Sequence, residues 1–171
     1  MSLEPVYGPA SFEAQIVPHR GAAYNLARWL TRNDHDAEDV VQEAYLRAFK
    51  FWNTFRGTDA RAWLLTIVRN TCFSWLHQNR KPALELVDDM PDLKSATANP
   101  EALLLANIDS EMLHRAVEEL PIEFREAIVL RELEGFSYKE ISAITAVPIG
   151  TVMSRLARAR IRLQKALGGA A

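Results

Sequence analysis

Three groups of residues in this 171-residue chain have types and spacings that could do chemistry. Residues 148–171 hold Arg155, Arg158, Arg160, Arg162 and Lys165 and no acid, a local charge of +5 on a chain whose net charge is −2. That concentration of cations suits an anionic partner, although charge alone fits a solvated helix face equally well. Residues 53–80 mix Phe55, Trp63, Phe73 and Trp75 with Arg56, Arg61, Arg69 and Arg80, and with Asn53, Asn70 and His77. Aromatic faces stack on unpaired bases while cations follow the phosphates, so this mixture is the chemistry of single-stranded nucleic acid. Half or more of these rings belong to a core on composition grounds. Finally, Asp34, His35, Asp36, Glu38 and Asp39 crowd metal-ligating types together. The same acids at the start of a helix are favoured by its dipole. The remaining histidines, His19, His77 and His114, lack the i, i+4 spacing of a ligand pair. No metal and no cofactor is expected.

The elements that must position these groups read as helices. No stretch alternates apolar and polar residues with the β-branched richness of a strand. A first helical region covers about residues 11–31, with Phe12, Ile16, Ala23, Leu26, Ala27 and Leu30 on one face and Pro18 as a kink or break. A second starts near Asp36, read as its N-cap, and runs to about Asn53. Its apolar stripe is Val40, Val41, Ala44, Tyr45, Ala48, Phe49 and Trp52, and its opposite face carries Asp39, Gln42, Glu43, Leu46, Arg47 and Lys50. A third spans about 60–78, with Leu64, Ile67, Val68, Cys72, Trp75 and Leu76 inward, which leaves Phe55 and Phe73 as the better exposed aromatics. Residues 82–100 contain three prolines and four acids and cannot hold a long helix. Asn99-Pro100-Glu101 then reads as a helix start, and so does Leu120-Pro121. Glu134-Gly135-Phe136 ends that second helix, Ser137 and Glu140 form a capping box, and Pro148 opens a last helix to about Leu167.

The expected fold is therefore all-α: two small helical domains, residues 1–81 and 108–171, joined by a flexible acidic linker over 82–107. Composition agrees, with 49% hydrophobic and 25% charged residues. One cysteine excludes an intrachain disulfide, and the longest apolar run, residues 102–106, is far short of a membrane span. The N-terminal residues lack a signal-like pattern, so a reducing cytoplasm is the expected compartment.

Residues 137–167 have the spacing of a helix-turn-helix: a capped short helix, a tight turn and a longer basic helix. Ile141, Ile144, Val152, Leu156 and Leu163 would form its core. Gly150, Thr151, Ser154, Arg155 and Arg158 would face duplex DNA, with Arg160, Arg162 and Lys165 nearer phosphates or solvent. A plain helical hairpin with a basic face is the blander alternative.

In order and spacing these segments resemble a bacterial sigma factor of the extracytoplasmic-function (ECF) class. DAEDVVQEAYLRAF resembles the helix that binds core RNA polymerase, and FRGTDARAWLLTIVRN the loop and helix that recognise the −10 element. LPIEFREAIVLRELEGFSYKEISAI with PIGTVMSRLARARIRL resembles the −35-binding domain. The resemblance implies docking on the β′ clamp helices through Asp39, Gln42, Glu43, Leu46 and Arg47. It implies capture of the −10 non-template strand, with a flipped base, by Asn53, Phe55, Arg56, Arg61, Arg69, Asn70 and Phe73. It implies −35 reading by Gly150, Thr151, Ser154, Arg155 and Arg158, with this domain seated on the β flap. It further implies an anti-sigma factor as partner, and a non-enzymatic role in which the polymerase does the chemistry. The chain departs from the pattern at Thr145-Ala146, where leucine-glycine is usual, and at Met153, where a basic residue is frequent. A left-handed Ala146 would cost about 1–2 kcal/mol, and Met153 removes one phosphate or base contact. Three other readings remain at this level. One is a dimeric helix-turn-helix regulator of duplex DNA. Another is a helical metal-dependent hydrolase, whose His-Asp dipeptide His35-Asp36 resembles. The third is an adaptor that binds polymerase without reading promoters.

Overall fold

The computed structural model describes residues 9–79 and 110–168. The contacts fall into two units, residues 1–81 and 82–171. Among the described residues every regular element is helical. The expected linker, 82–107, and the start at Asn99-Pro100 lie outside the described residues.

In the N-terminal unit, α1 (Pro9–Ile16) passes through a 3₁₀ turn, Val17–His19, into α2 (Arg20–Thr31). Pro18 is the second residue of that turn, a place where a missing N–H leaves no helical hydrogen bond unmade. Helix α2 ends on Arg32 in the left-handed region, φ 59°. Asn33, not Asp36, caps α3 (Asp34–Lys50): its side chain accepts from the Asp36 N–H. The cap thus lies three residues before the expected one, and Asp34 and Asp36 fall in the first turn of the helix. A 3₁₀ turn, Trp52–Thr54, leads to α4 (Ala60–Gln78), capped by Asp59, which accepts from the Ala62 N–H at 3.0 Å.

Helices α2, α3 and α4 pack against one another. Ala23, Ala27, Ala37, Ala44 and Ala48 are buried along the first two, so the backbones approach closely. Ile16, Leu26, Leu30, Val40, Leu64, Leu65, Val68 and Cys72 fill the space between them. Each such large apolar side chain contributes about 1.5–3 kcal/mol by leaving water. Buried Thr31 and Thr71 satisfy their hydroxyls by donating to the carbonyls of Ala27 and Ile67. At the end of α3 the aromatics form a cluster. Trp52 stacks on Phe55 at 5.1 Å, Trp63 meets both, and Phe12 meets Trp52 edge-on at 5.5 Å.

The C-terminal unit comprises α5 (Ser110–Glu118), α6 (Ile122–Ile128), α7 (Tyr138–Thr145) and α8 (Ile149–Gly168). Pro121 precedes α6, as expected. Buried Arg125 donates to the carbonyls of Glu118 and Leu120, both at 2.9 Å, and so closes the end of α5. After Ile128 the helix widens into a π turn, Val129–Leu133, and Gly135 leaves it at φ +73°. Phe136 is fully buried and pins the chain's return. The Ser137–Glu140 capping box is formed in both directions. Helix α7 ends on Ala146 in the left-handed conformation, φ 57° and ψ 39°, the strained state that a residue with a Cβ adopts at a cost. Helix α8 packs on α5, α6 and α7, and Ile141, Ile144, Val152, Leu156 and Leu163 are buried as expected.

Candidate functional site

The outward face of α3 is built by helical period. Ala37, Val40, Val41, Ala44 and Ala48 turn into the core, which leaves residues 39, 42, 43, 46 and 47 on the other side. Asp39 and Gln42 are exposed, Glu43 and Arg47 are partly exposed, and Leu46 is 72% exposed. Glu43 and Arg47 pair one turn apart at 2.6 Å. Beside them runs a groove lined by Val17, Arg20, Val41, Gln42, Tyr45 and Leu46. Val17 and Arg20 were not singled out in the sequence, and Tyr45, expected in the apolar stripe, is half-buried at the groove. Val17 becomes 54% exposed because the 3₁₀ turn rotates it out of the α1 register. Burial raises the Tyr45 phenol above its usual value, with Arg20 opposing. Phe49, expected in the apolar stripe, is 57% exposed, though its ring meets Phe12 edge-on at 5.3 Å.

The clustered acids and His35 are otherwise engaged. Asp34 receives the Arg28 Nε at 2.6 Å, and His35 lies 3.7 Å from Asp39 on an exposed surface. Among the described residues no three His, Cys, Asp or Glu side chains gather as metal ligands would.

The residues expected at single-stranded DNA separate into three places. Asn53 and Arg56 lie exposed on the loop before α4, and the Arg56 guanidinium donates to the Asn53 carbonyl at 2.7 Å. Arg61 occupies the first turn of α4. Arg69, Asn70 and Phe73 come together on one side of that helix: the Arg69 guanidinium lies 4.1 Å over the Phe73 ring and donates to Asn70 Oδ1 at 3.2 Å. Phe55 departs from expectation. It is 8% exposed because its ring is stacked on Trp52, so it shapes the loop from within instead of offering a face to a base. Trp75, expected inside, is only half-buried.

On α8 the expected duplex-facing residues divide. Gly150 is exposed and Thr151, Ser154 and Arg158 are half-buried on the side away from Val152, Leu156 and Leu163. Arg155 is a correction. It is 8% exposed and its guanidinium lies 3.5 Å from Glu123 of α6, an ion-pair distance. A residue one position from Ser154 and one from Leu156 is carried inward by the 100° step of the helix, and Glu123 is there to receive it. Further along, Arg160 pairs with Glu132 at 3.1 Å and Arg162 lies over Phe124 at 5.3 Å. Glu123 and Glu132 were not anticipated, since nothing in the sequence says which acid of one helix meets which base of another.

Comparison with known proteins places both units. The Sigma-70 region 2 family matches residues 16–81 and the Sigma-70 region 4 family residues 110–163. The chain is 42% identical over 134 residues to the ECF RNA polymerase sigma-E factor of Escherichia coli (strain K12), covering 73% of this chain and 70% of that protein. It is 34% identical over 155 residues to the ECF sigma factor SigE of Mycolicibacterium smegmatis, covering 90% of this chain and 60% of that one. Among solved structures it is similar to the sigma factor RpoE of Bartonella quintana in complex with the anti-sigma factor NepR. There the TM-score is 0.70 at 30% identity, over 92% of this chain and 96% of that one. It shares the fold of CnrH, solved with the cytosolic domain of CnrY, at a TM-score of 0.67 and 24% identity over 96% and 92% of the two chains. Two helical units of matching family, in this order and at this identity, mean that the chain belongs to the extracytoplasmic-function class of RNA polymerase sigma factors.

Proposed function

We propose a division of labour between the two units of a protein that, as an ECF sigma factor, directs promoter-specific initiation by core RNA polymerase. Residues 1–81 dock on the polymerase and capture the −10 element, residues 82–107 connect, and residues 108–171 read the −35 duplex from a seat on the β flap. The observation that carries the docking assignment is Leu46, a large apolar side chain 72% exposed between charged neighbours on α3 and beside an apolar groove. A well-folded helix keeps such a residue outside for a partner helix, here the β′ clamp helices. For the −10 element, Asn53, Arg56, Arg61, Arg69, Asn70 and Phe73 supply amides, cations and one ring, with Phe55 supporting the loop from behind. Unstacking a base costs a few kcal/mol, which such contacts offset. For the −35 element, Gly150, Thr151, Ser154 and Arg158 form the reading face, and Arg155 holds α8 to α6.

The protein itself catalyses nothing; the polymerase does the chemistry. An anti-sigma factor, like the one solved with the Bartonella quintana protein, is the expected antagonist. The place of action is the cytoplasm, where the polymerase works; among the described residues no helix is long and apolar enough to cross a membrane. The test is co-elution of the full chain with core polymerase on gel filtration, then run-off transcription from a promoter library. Co-elution with a defined start site and paired −35 and −10 words supports the reading. Co-elution without initiation would favour an adaptor, and failure to co-elute with active core enzyme would overturn the docking assignment.

A further inference from the structure

We propose that Met153 is a specificity-determining residue whose thioether side chain reads a thymine C5-methyl group in the major groove of the −35 duplex. This deepens the reading of α8 as the −35 helix and rests on it. A recognition helix addresses base edges with its N-terminal residues. In α8 those residues, 149–157, include one cation, Arg155, and that one is turned inward against Glu123. What the same stretch presents to solvent is Ile149, 44% exposed, and Met153, 52% exposed, one turn apart, with Gly150 between them in open space. Thr151 and Ser154 flank this apolar pair and are half-buried.

The chemistry of base readout then narrows. Guanine is recognised chiefly by a bidentate arginine or lysine on O6 and N7. The first two turns of α8 present no such group outward, and Arg158 is the first arginine of the reading face beyond them. Thymine alone offers a methyl group in the major groove, and an apolar side chain recognises it by contact. Methionine suits this role because it is unbranched, polarisable and adjusts to an irregular surface. The occupant of the patch is set by charge: residues 148–171 hold five bases and no acid, and with Arg155 and Arg160 paired to Glu123 and Glu132 the stretch keeps an excess of cations. The surface around Met153 therefore draws a polyanion in preference to an acidic-rimmed or neutral protein partner. Arg158 and the bases beyond it carry the attraction to the polyanion, and Met153 carries discrimination at one base pair.

The experiment uses the full chain reconstituted with core polymerase. The −35 word is first selected from a randomised promoter library, then each thymine in it is replaced singly by deoxyuridine, which removes only the methyl group. Promoter affinity and run-off yield are measured for the wild type, Met153→Ala and Met153→Arg. One thymine is expected to lose about four-fold in affinity on demethylation, the worth of one methyl group in apolar contact. That sensitivity should vanish in Met153→Ala, an exposed helical position where alanine is well tolerated. Met153→Arg should shift the selected base pair toward guanine. A −35 word insensitive to every such replacement, or a sensitivity that survives Met153→Ala, overturns the inference and leaves the −35 reading standing. Selection of no −35 word at all overturns both.

Discussion

The Arg155 guanidinium and the Glu123 carboxylate are both largely withdrawn from water, with side chains 9% and 15% exposed. Removing one partner of such a pair leaves the other charge buried without compensation, which costs far more than the pair contributes when intact. Arg155→Ala is therefore expected to destabilise the C-terminal unit by about 3 kcal/mol, read as an earlier urea transition, and to weaken promoter binding only through that loss. Arg158→Ala is expected to behave differently. It should leave the transition nearly in place, weaken promoter binding and reduce the salt dependence of binding by about one counterion. Tyr45 supplies a test by pH. Burial raises its phenol above the ordinary value, so the folded state keeps a proton that the unfolded chain releases above about pH 10. The unfolded state then binds fewer protons, and stability must fall as pH rises through that range. In Tyr45→Phe the decline above about pH 10 should be shallower; an unchanged slope would mean that another group governs it.

At the scale of elements, the helix-turn-helix is held by devices that act on backbone ends. The Ser137–Glu140 capping box satisfies donors at both sides of the start of α7. Ser137→Ala is expected to cost about 1 kcal/mol, measured by thermal unfolding. At the other end of α7, Ala146 stands in a left-handed conformation where the Cβ is strained. Ala146→Gly relieves about 1–2 kcal/mol of that strain and gives back about 0.4–1 kcal/mol through the greater freedom of the unfolded chain. A net stabilisation of about 0.5–1 kcal/mol is expected, and a loss of stability would show that the methyl group makes a packing contribution. The π turn after α6 is the corresponding device on the other side: Glu132, the fourth of its five residues, pairs with Arg160 of α8 and ties the end of α6 to the recognition helix. The capping box was legible in the sequence, but the π turn was not, because a single extra residue in a helical turn leaves the apolar spacing almost unchanged.

For the whole molecule, the decisive test separates docking from folding. Leu46 and Asp39 project from α3 away from its core face, so Asp39→Ala with Leu46→Ala should leave the thermal transition of the N-terminal unit within about 0.5 kcal/mol. The same pair should weaken polymerase binding about ten-fold, the effect of losing an apolar anchor and a charge at an interface; an undiminished affinity would remove the docking assignment. The sequence by itself determined the helical class, the positions of most helix ends and the outward face of α3. Those properties follow from local rules: the 3.6-residue period, the shape of proline and the need to satisfy free N–H groups at a helix start. Only the tertiary structure decided which outward-looking residues are not outward at all. Phe55 reads as a loop aromatic free to stack on a base, yet Trp52 covers it. Arg155 reads as one more arginine of a basic helix, yet Glu123 draws it inside. Phe49 reads as core, yet the chain leaves it on the surface. Periodicity fixes an angle around one helix axis, whereas burial depends on where the neighbouring helices lie, and that is settled only when all of them pack at once.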